Sequence, residues 1–326
     1  MKTILTIYCA FMLTIAAYAQ EPDKALVKVQ YNFIHIADTT QRDRPYTETM
    51  LLIAGKNASL YTSYDRIDRA VNQWMKIQEM RKNGFAGGFI PAPAYTKPVS
   101  QTQYYFFAKE HKFFRMEYFI SAYLVEDEIE KPNWKIAKDT LSFSGIHCQK
   151  ATARFKGRNW IAWFAAELPF ESGPWKLNGL PGLIIEAYDD KKEVQFMFDG
   201  IEKIKEGDLA TDNAHTIAAD KISTIAGLDI SHVAFPPERP VMQGGYQKIT
   251  EKEFDKLQAA NDKDPDAFRI AQFAAIGITN PPPAGSGGGG GSSGGGKSQT
   301  ATITRAPAPP PLKVVINNPI ELQEKK

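Results

Sequence analysis

The chain has 326 residues, of which 43% are hydrophobic and 23% are charged. These values are ordinary for a soluble globular protein, and the length is sufficient to bury a sizeable core. The formal net charge is only +2, which favours neither a nucleic acid nor an anionic surface as partner.

Residues 1–19 have the organisation of a secretory signal peptide. Lys2 supplies a positive charge, residues 4–17 are apolar, and Ala17-Tyr18-Ala19 fits the small-x-small cleavage pattern. The apolar run is short for a bilayer span, which favours cleavage over a membrane anchor, and no later stretch approaches the length of a spanning helix. We therefore expect an exported protein that is periplasmic, associated with the outer membrane or extracellular.

Cleavage after residue 19 removes Cys9 and leaves Cys148 without a partner for an internal disulfide. Cys148 lies in a run of alternating character, which predicts a small buried hydrophobic side chain. A reactive thiol is the alternative, but the sequence assigns it no activating base.

The first predicted elements are strands followed by a helix. Residues 27–36 alternate between apolar and polar side chains, and residues 49–54 and 58–62 predict a hairpin. From residue 65 to 83 the apolar period becomes helical, with one side formed by Ile67, Val71, Trp74 and Ile77. We expect this helix to cover a sheet face; a helix that binds a partner is the alternative.

The stretch from residue 103 to residue 198 is rich in short strands with turn signals. Residues 103–108 and 113–120 flank a charged turn. Residues 141–155 should pair with 160–166, and residues 183–188 with 194–198. This spacing predicts an α+β fold that is mostly antiparallel: a curved or half-barrel meandering sheet with one or two covering helices.

An apolar, glycine-rich turn stands at the centre of the chain. It has no catalytic base, nucleophile or metal cluster, and its side chains suit a buried corner in which backbone passes close to backbone. We assign it a structural role, with these residues: Gly173, Pro174, Trp175, Gly179, Leu180, Pro181, Gly182, Leu183 and Ile184.

Gly179-Leu180-Pro181-Gly182-Leu183-Ile184 matches the motif of the GLPGLI family, exported proteins of Bacteroidota whose molecular function is not established. The chain resembles that family also at residues 145–151, 160–163, 167–169, 173–175 and 316–322. The resemblance implies an envelope protein, and it supplies no catalytic, cofactor-binding or metal-binding residue.

The C-terminal part has a different composition. After a proline-bearing stretch, a helix should begin at Thr250, and Pro265 should interrupt it. Residues 281–311 are rich in proline, glycine and serine and predict a disordered linker. Residues 312–326 recover strand character, and we expect them to dock on a single β-rich domain formed by residues 20–280.

Three patterns resemble reactive sites. Residues 291–298 satisfy the phosphate-loop pattern, but no strand precedes them and no helix follows, so we predict no nucleotide site. The acidic run at residues 126–130 suits a solvated turn better than a cation site. The five histidines lack the spacing of zinc ligands.

The favoured interpretation is a non-enzymatic cell-envelope protein without a cofactor. It would bind a peptide, a lipid-like apolar ligand or an outer-membrane transport partner on the sheet. A secreted hydrolase or a metal-binding envelope protein are the alternatives, because catalytic and metal sites also assemble from distant residues.

Overall fold

The computed structural model describes residues 25–84, 97–109, 111–127, 130–204, 224–225, 228–229, 246–279 and 316–322. The strands in these ranges are β1 (Val27–His35), β2 (Tyr46–Ala54), β3 (Ala58–Ser63), β4 (Gln103–Phe107), β5 (Lys112–Tyr118), β6 (Ala122–Asp127), β7 (Lys135–Phe143), β8 (Ile146–Phe155), β9 (Arg158–Ala165), β10 (Leu183–Asp189), β11 (Val194–Lys203), β12 (Thr224–Ile225), β13 (Leu228–Asp229) and β14 (Tyr246–Thr250). The helices are α1 (Tyr64–Lys82), α2 (Glu251–Lys263) and α3 (Pro265–Ala275).

Twelve strands form one open sheet in the order β14-β6-β5-β4-β3-β2-β1-β11-β10-β9-β8-β7, and β12 and β13 form a separate pair. Neighbours in the large sheet are antiparallel except β14 and β6, which are parallel. The prediction of a mostly antiparallel α+β fold is confirmed. Strand β1 lies near the middle because it pairs with β2 on one side and with β11 on the other.

One face of the central strands carries the larger core. Phe33 stacks on Phe196 with ring centroids 5.1 Å apart, and Trp160 also stacks on Phe196, at 6.0 Å. Tyr31 joins them with no exposed surface and donates a hydrogen bond from its hydroxyl to the Ile184 carbonyl at 2.6 Å. The core therefore ties β1, β9, β10 and β11 together.

The opposite face of β2 to β6 carries a second core, which includes Leu51, Leu60, Tyr105 and Met116. The predicted helix is present as α1, and its Ile67 is buried in this core. The other apolar positions predicted for that helix face, Val71, Trp74 and Ile77, have side chains outside the described residues.

Helices α2 and α3 cover the β6 end of the sheet. Thr250 and Glu253 form a capping box that starts α2, and the Asp264 side chain caps α3, whose first residue is Pro265. The apolar sides of both helices pack on Phe119 through Phe254 and Phe268. Among the described residues, no helix combines the length and the apolar character needed to cross a membrane.

One predicted strand is divided in the structure. Residues 141–155 belong to two strands, β7 and β8, which turn at Ser144-Gly145, where both residues have positive φ. The predicted pairing of β8 with β9 and of β10 with β11 is present. The phosphate-loop pattern and the predicted linker lie outside the described residues, and the division into domains stays a prediction.

Candidate functional site

The residues between β9 and β10 form an irregular segment that closes the larger core. Its buried side chains are Phe170, Trp175, Leu177 and Leu180. Backbone hydrogen bonds attach the first part of the segment to the start of β10: the Leu183 N–H donates to the Leu168 carbonyl, and the Ile184 N–H to the Ser172 carbonyl, each at 3.0 Å. The motif residues therefore form a packed corner, with Gly179 and Pro181 exposed at its surface.

Glycines make this corner sterically feasible. Gly182 has a φ of +151°, and a Cβ there would lie 2.3 Å from the Ala165 carbonyl oxygen. At Gly173, a Cβ would lie 2.6 Å from the Leu177 carbonyl oxygen, so this position is also limited by backbone contact. Trp175 itself has a φ of +55°, a conformation that costs free energy for a residue with a side chain.

A small cleft lies between this corner and strands β3 to β5. Tyr61, Tyr104, Phe113 and Trp175 line it, and it has room for about one water molecule. The buried Tyr61 hydroxyl and Asn178 Oδ1 have no hydrogen-bond partner within the described part of the chain. Burial raises the pKa of Tyr61 and Tyr104 well above the usual value, so both hydroxyls stay neutral. The cleft suits a bridging water and is too small for a lipid-like ligand.

A second polar group is built around Arg158, the first residue of β9, which is 3% exposed. Its Nη1 donates to Asp189 Oδ2 at 2.7 Å, and Glu193 Oε2 lies 3.4 Å away. The other Asp189 oxygen accepts the backbone N–H groups of Glu193 and Val194 at 2.7 and 2.9 Å. The turn between β10 and β11 therefore fixes the guanidinium through hydrogen-bonded carboxylates.

The remaining donors of Arg158 hold residues 316–322. Nη2 donates to Asn318 Oδ1 and to the Pro319 carbonyl at 2.7 Å each, and Nε donates to the Ile320 carbonyl at 2.8 Å. His35 Nε2 donates to the Asn318 carbonyl at 2.7 Å. We call the group formed by His35, Lys156, Arg158, Asp189 and Glu193 the C-terminal seat.

The segment also bonds to the seat through its own donors and through charge. Asn318 Nδ2 donates to the Ile36 carbonyl at 2.8 Å, and the Leu322 N–H donates to the Lys156 carbonyl at 3.0 Å. Glu321 pairs with Lys176 of the motif segment at 2.8 Å. Residues 316–322 are irregular rather than a strand, and residues 312–315 lie outside the described residues, so the predicted strand there stays a prediction.

A third buried carboxylate, Glu48 on β2, has hydroxyl partners. Ser63 and Ser100 each donate to it at 2.5 Å, and Tyr46 donates at 2.7 Å. The Ser100 N–H adds a bond at 2.9 Å, so both carboxylate oxygens are occupied. These bonds hold the residues that precede β4 against β2. Within the described residues, no histidine is hydrogen-bonded to either serine.

The described histidines lie on separate elements. His35 is in the C-terminal seat, His111 is in the turn before β5, and His147 is on β8. In the part of the chain that the structure describes, no group of three His, Cys, Asp or Glu side chains is placed to hold a metal ion. Cys148 is fully buried, and burial raises the pKa of its thiol to about 11.

Among the strands that the structure describes, β7 is the last of the large sheet and pairs on one side only. Seven of its nine residues are exposed, including Ile136 at 49% and Leu141 at 46%. The two-residue turn makes Phe143 and Ile146 the hydrogen-bonded pair, so Thr140 and Ser142 direct their backbone groups away from β8. Within the described part of the chain, the outward backbone donors and acceptors of Thr140 and Ser142 have no strand partner at this edge.

A register shift between Ile136 and Thr140 interrupts the pairing of β7, and Gln149 Nε2 donates to the Ala137 carbonyl there at 2.7 Å. Lys138 and Asp139 lie in the same interruption and are exposed. Such bulges and charges limit uncontrolled association of strands. Pairing with β8 resumes at Lys135 and Ile136, so residues 140–143 form a short uninterrupted run next to the turn.

A family model described as "Protein of unknown function (Porph_ging)" matches residues 149–186, which run from β8 through the motif corner into β10. No curated protein matches the sequence. Two solved structures of PNGF-II, in the P21 and C2 space groups, are similar with a TM-score of 0.43, at 12% and 11% identity. Each similarity covers 71% of this chain and 32% of the other, so this chain spans about a third of their length.

The sequence identified the motif residues, and the structure places them together in the corner. From the sequence alone, no role could be assigned to four other residues, because they come together only in the folded chain: His35, Arg158, Asp189 and Glu193. Arg158 falls between the predicted strands at residues 141–155 and 160–166, where the sequence predicts only a connecting turn. The available signal was the Asn317-Asn318-Pro319 run, an unusual concentration of hydrogen-bonding side chains beside a proline.

Proposed function

We propose that this protein is an exported, non-enzymatic cell-envelope protein of the GLPGLI family, and that it binds an extended peptide segment of a partner protein by strand addition along β7. The observation that carries this proposal is the accessible edge at residues 140–143. The signal-peptide pattern of residues 1–19 supports export, and the motif at residues 179–184 supports the family.

An exposed strand edge suits a peptide because a partner strand satisfies the free backbone groups of Thr140 and Ser142. Leu141 is nearly half exposed and offers an apolar contact to the added strand. The interruption at residues 137–139 limits the partner to a short segment. Such an interface is specific through its register and its neighbouring side chains.

A peptide is favoured over a lipid-like ligand because the motif segment already covers the apolar face of the sheet on which a lipid-like ligand would bind. The motif segment fills the face of the sheet with Phe170, Trp175, Leu177 and Leu180, and the cleft beside it holds about one water molecule. The polar clusters of Glu48 and Arg158 use their hydrogen bonds to hold the chain itself. These features support a binding role rather than catalysis.

The test is site-specific photocrosslinking in cells of the source organism. A photoreactive phenylalanine analogue replaces Leu141 on β7, and a control probe replaces Ile270 on α3, which is 49% exposed and therefore similarly accessible. Ser142→Pro removes an outward N–H without removing a bond to β8, while Ser142→Ala leaves that N–H in place.

We expect the Leu141 probe to give a discrete product that the Ile270 probe does not give. Ser142→Pro should abolish this product and Ser142→Ala should keep it. Both variants should have the melting temperature of the wild type. Identical products from both probes, or a product that survives Ser142→Pro, would refute strand addition. A product of twice the chain's mass would mean that a second copy is the occupant, against the proposal.

A further inference from the structure

The C-terminal seat is organised by the folded sheet rather than by the segment it holds. Asp189 orients the Arg158 guanidinium at 2.7 Å and is itself fixed by two backbone N–H groups of the β10–β11 turn. His35 is part of β1, which is paired on both sides. The donors of the seat are therefore in position before residues 316–322 arrive.

The seat recognises its segment in the way that a receptor recognises an extended peptide. Arg158 and His35 together donate to three consecutive carbonyl groups, those of Asn318, Pro319 and Ile320. The Asn318 side chain is bonded at both its oxygen and its nitrogen. Charge selects one further position, since Glu321 lies 2.8 Å from the Lys176 ammonium and 4.0 Å from that of Lys156.

The segment contributes little to the core in return. Ile316 is 61% exposed, and Ile320 is only partly buried against the larger core. Leu322 lies over Gly157, where a Cβ would come within 2.6 Å of it. Polar recognition on a preformed surface is typical of a ligand rather than of a core element.

Residues 280–315 separate the described end of the α3 region from Ile316. Such a length of chain can span on the order of 100 Å when extended, which is enough to reach a neighbouring molecule. From these observations we infer that the C-terminal seat is a peptide-binding site that also accepts the Asn317–Leu322 segment of a second copy of this chain. Two chains then exchange their C-terminal segments. This inference is independent of strand β7.

The test uses full-length chains and a labelled synthetic peptide of residues 316–322. Asn318→Ala weakens the binding of the chain's own residues 316–322 to the seat and leaves the residues of the seat unchanged. In the wild-type chain the attached segment competes with the peptide at an effective concentration in the millimolar range. We expect the peptide to bind the Asn318→Ala chain at least tenfold more tightly than the wild type, measured by fluorescence anisotropy, and to raise its melting temperature.

A peptide carrying the same Asn318→Ala change is the matched control and should not bind. For exchange between copies, the Asn318→Ala chain is mixed with a Gly157→Ala chain, whose added methyl group obstructs its own seat at Leu322. The mixture should contain heterodimers by analytical ultracentrifugation, and neither variant alone should dimerise. Asn317→Ala, which loses only exposed contacts, replaces Asn318→Ala if that chain does not fold.

Equal peptide affinity for the variant and the wild type would show that the peptide does not use the seat. No binding to a folded variant would show that the segment is only a structural part of its own chain. A monomeric mixture that still binds the peptide would contradict the exchange between copies. Each of these results would overturn the inference.

Discussion

Replacing Gly182 by alanine should destabilise the protein more than the same change at Gly179 or at Gly200. A Cβ at this position would lie 2.3 Å from the Ala165 carbonyl oxygen and 2.8 Å from its carbon. Both are backbone atoms of β9, which is paired on both sides. The clash can therefore be relieved only by moving β9 or the corner.

The expected magnitude has two parts. A φ of +151° is unfavourable for alanine and costs about 1–3 kcal/mol, and the displaced backbone adds about 1–3 kcal/mol. Gly179→Ala is a control with positive φ but no close contact, because its φ is +85° and the nearest described atom to an added Cβ, Cβ of Lys131, is 3.7 Å away. Gly200→Ala has neither cost, since its φ is ordinary and no atom of the described residues lies within 4 Å of an added Cβ.

Urea unfolding followed by tryptophan fluorescence gives the three free energies of unfolding. We expect a loss of about 2–6 kcal/mol for Gly182→Ala, about 1–2 kcal/mol for Gly179→Ala and less than about 1 kcal/mol for Gly200→Ala. The first loss corresponds to a fall in melting temperature of roughly 5–20 °C. If Gly182→Ala costs no more than Gly179→Ala, backbone contact does not define the corner.

Three further predictions concern buried polar groups. Burial lowers the pKa of His35, so below about pH 6.5 the unfolded chain binds a proton that the folded chain does not. The free energy of unfolding should therefore decrease as the pH falls below about 6.5, and His35→Gln should reduce this pH dependence in urea titrations. Arg158→Ala leaves the buried Asp189 carboxylate unpaired and should cost about 3–5 kcal/mol; an unchanged unfolding midpoint would contradict the role of this pair. Cys148, in a chain that begins at Gln20, should react with a thiol reagent at pH 8 only after denaturation, because its side chain is fully buried and burial raises its pKa to about 11; rapid labelling of the folded chain would show that the strand opens.

Local elements could be predicted because they depend on neighbouring residues. The alternation in β1 and the helical period of α1 report which side of each element is buried. The interruption at Pro265 follows from the missing backbone N–H of proline. The break between β7 and β8 was missed because strand-like character continues on both sides of Ser144-Gly145, although a Ser-Gly pair is a turn signal.

The arrangement of elements could not be predicted in the same way. Strand β1 pairs with β11, more than 150 residues later, and β14 adds in parallel beside β6. Side-chain period identifies a half-buried strand but does not select its neighbour. The C-terminal seat depends on these pairings, since it brings together His35, Arg158, Asp189 and Asn318 from distant parts of the chain.

The most direct test of strand addition at β7 is amide hydrogen exchange at Thr140 and Ser142. In the purified chain these outward N–H groups should exchange at nearly the rate of an unstructured peptide, while the N–H of Leu141, which faces β8, is protected. In the native complex isolated from the envelope without crosslinking, exchange at Thr140 and Ser142 should slow by more than tenfold, because the partner strand accepts both N–H groups. Unchanged exchange at these two positions in the complex would contradict the account.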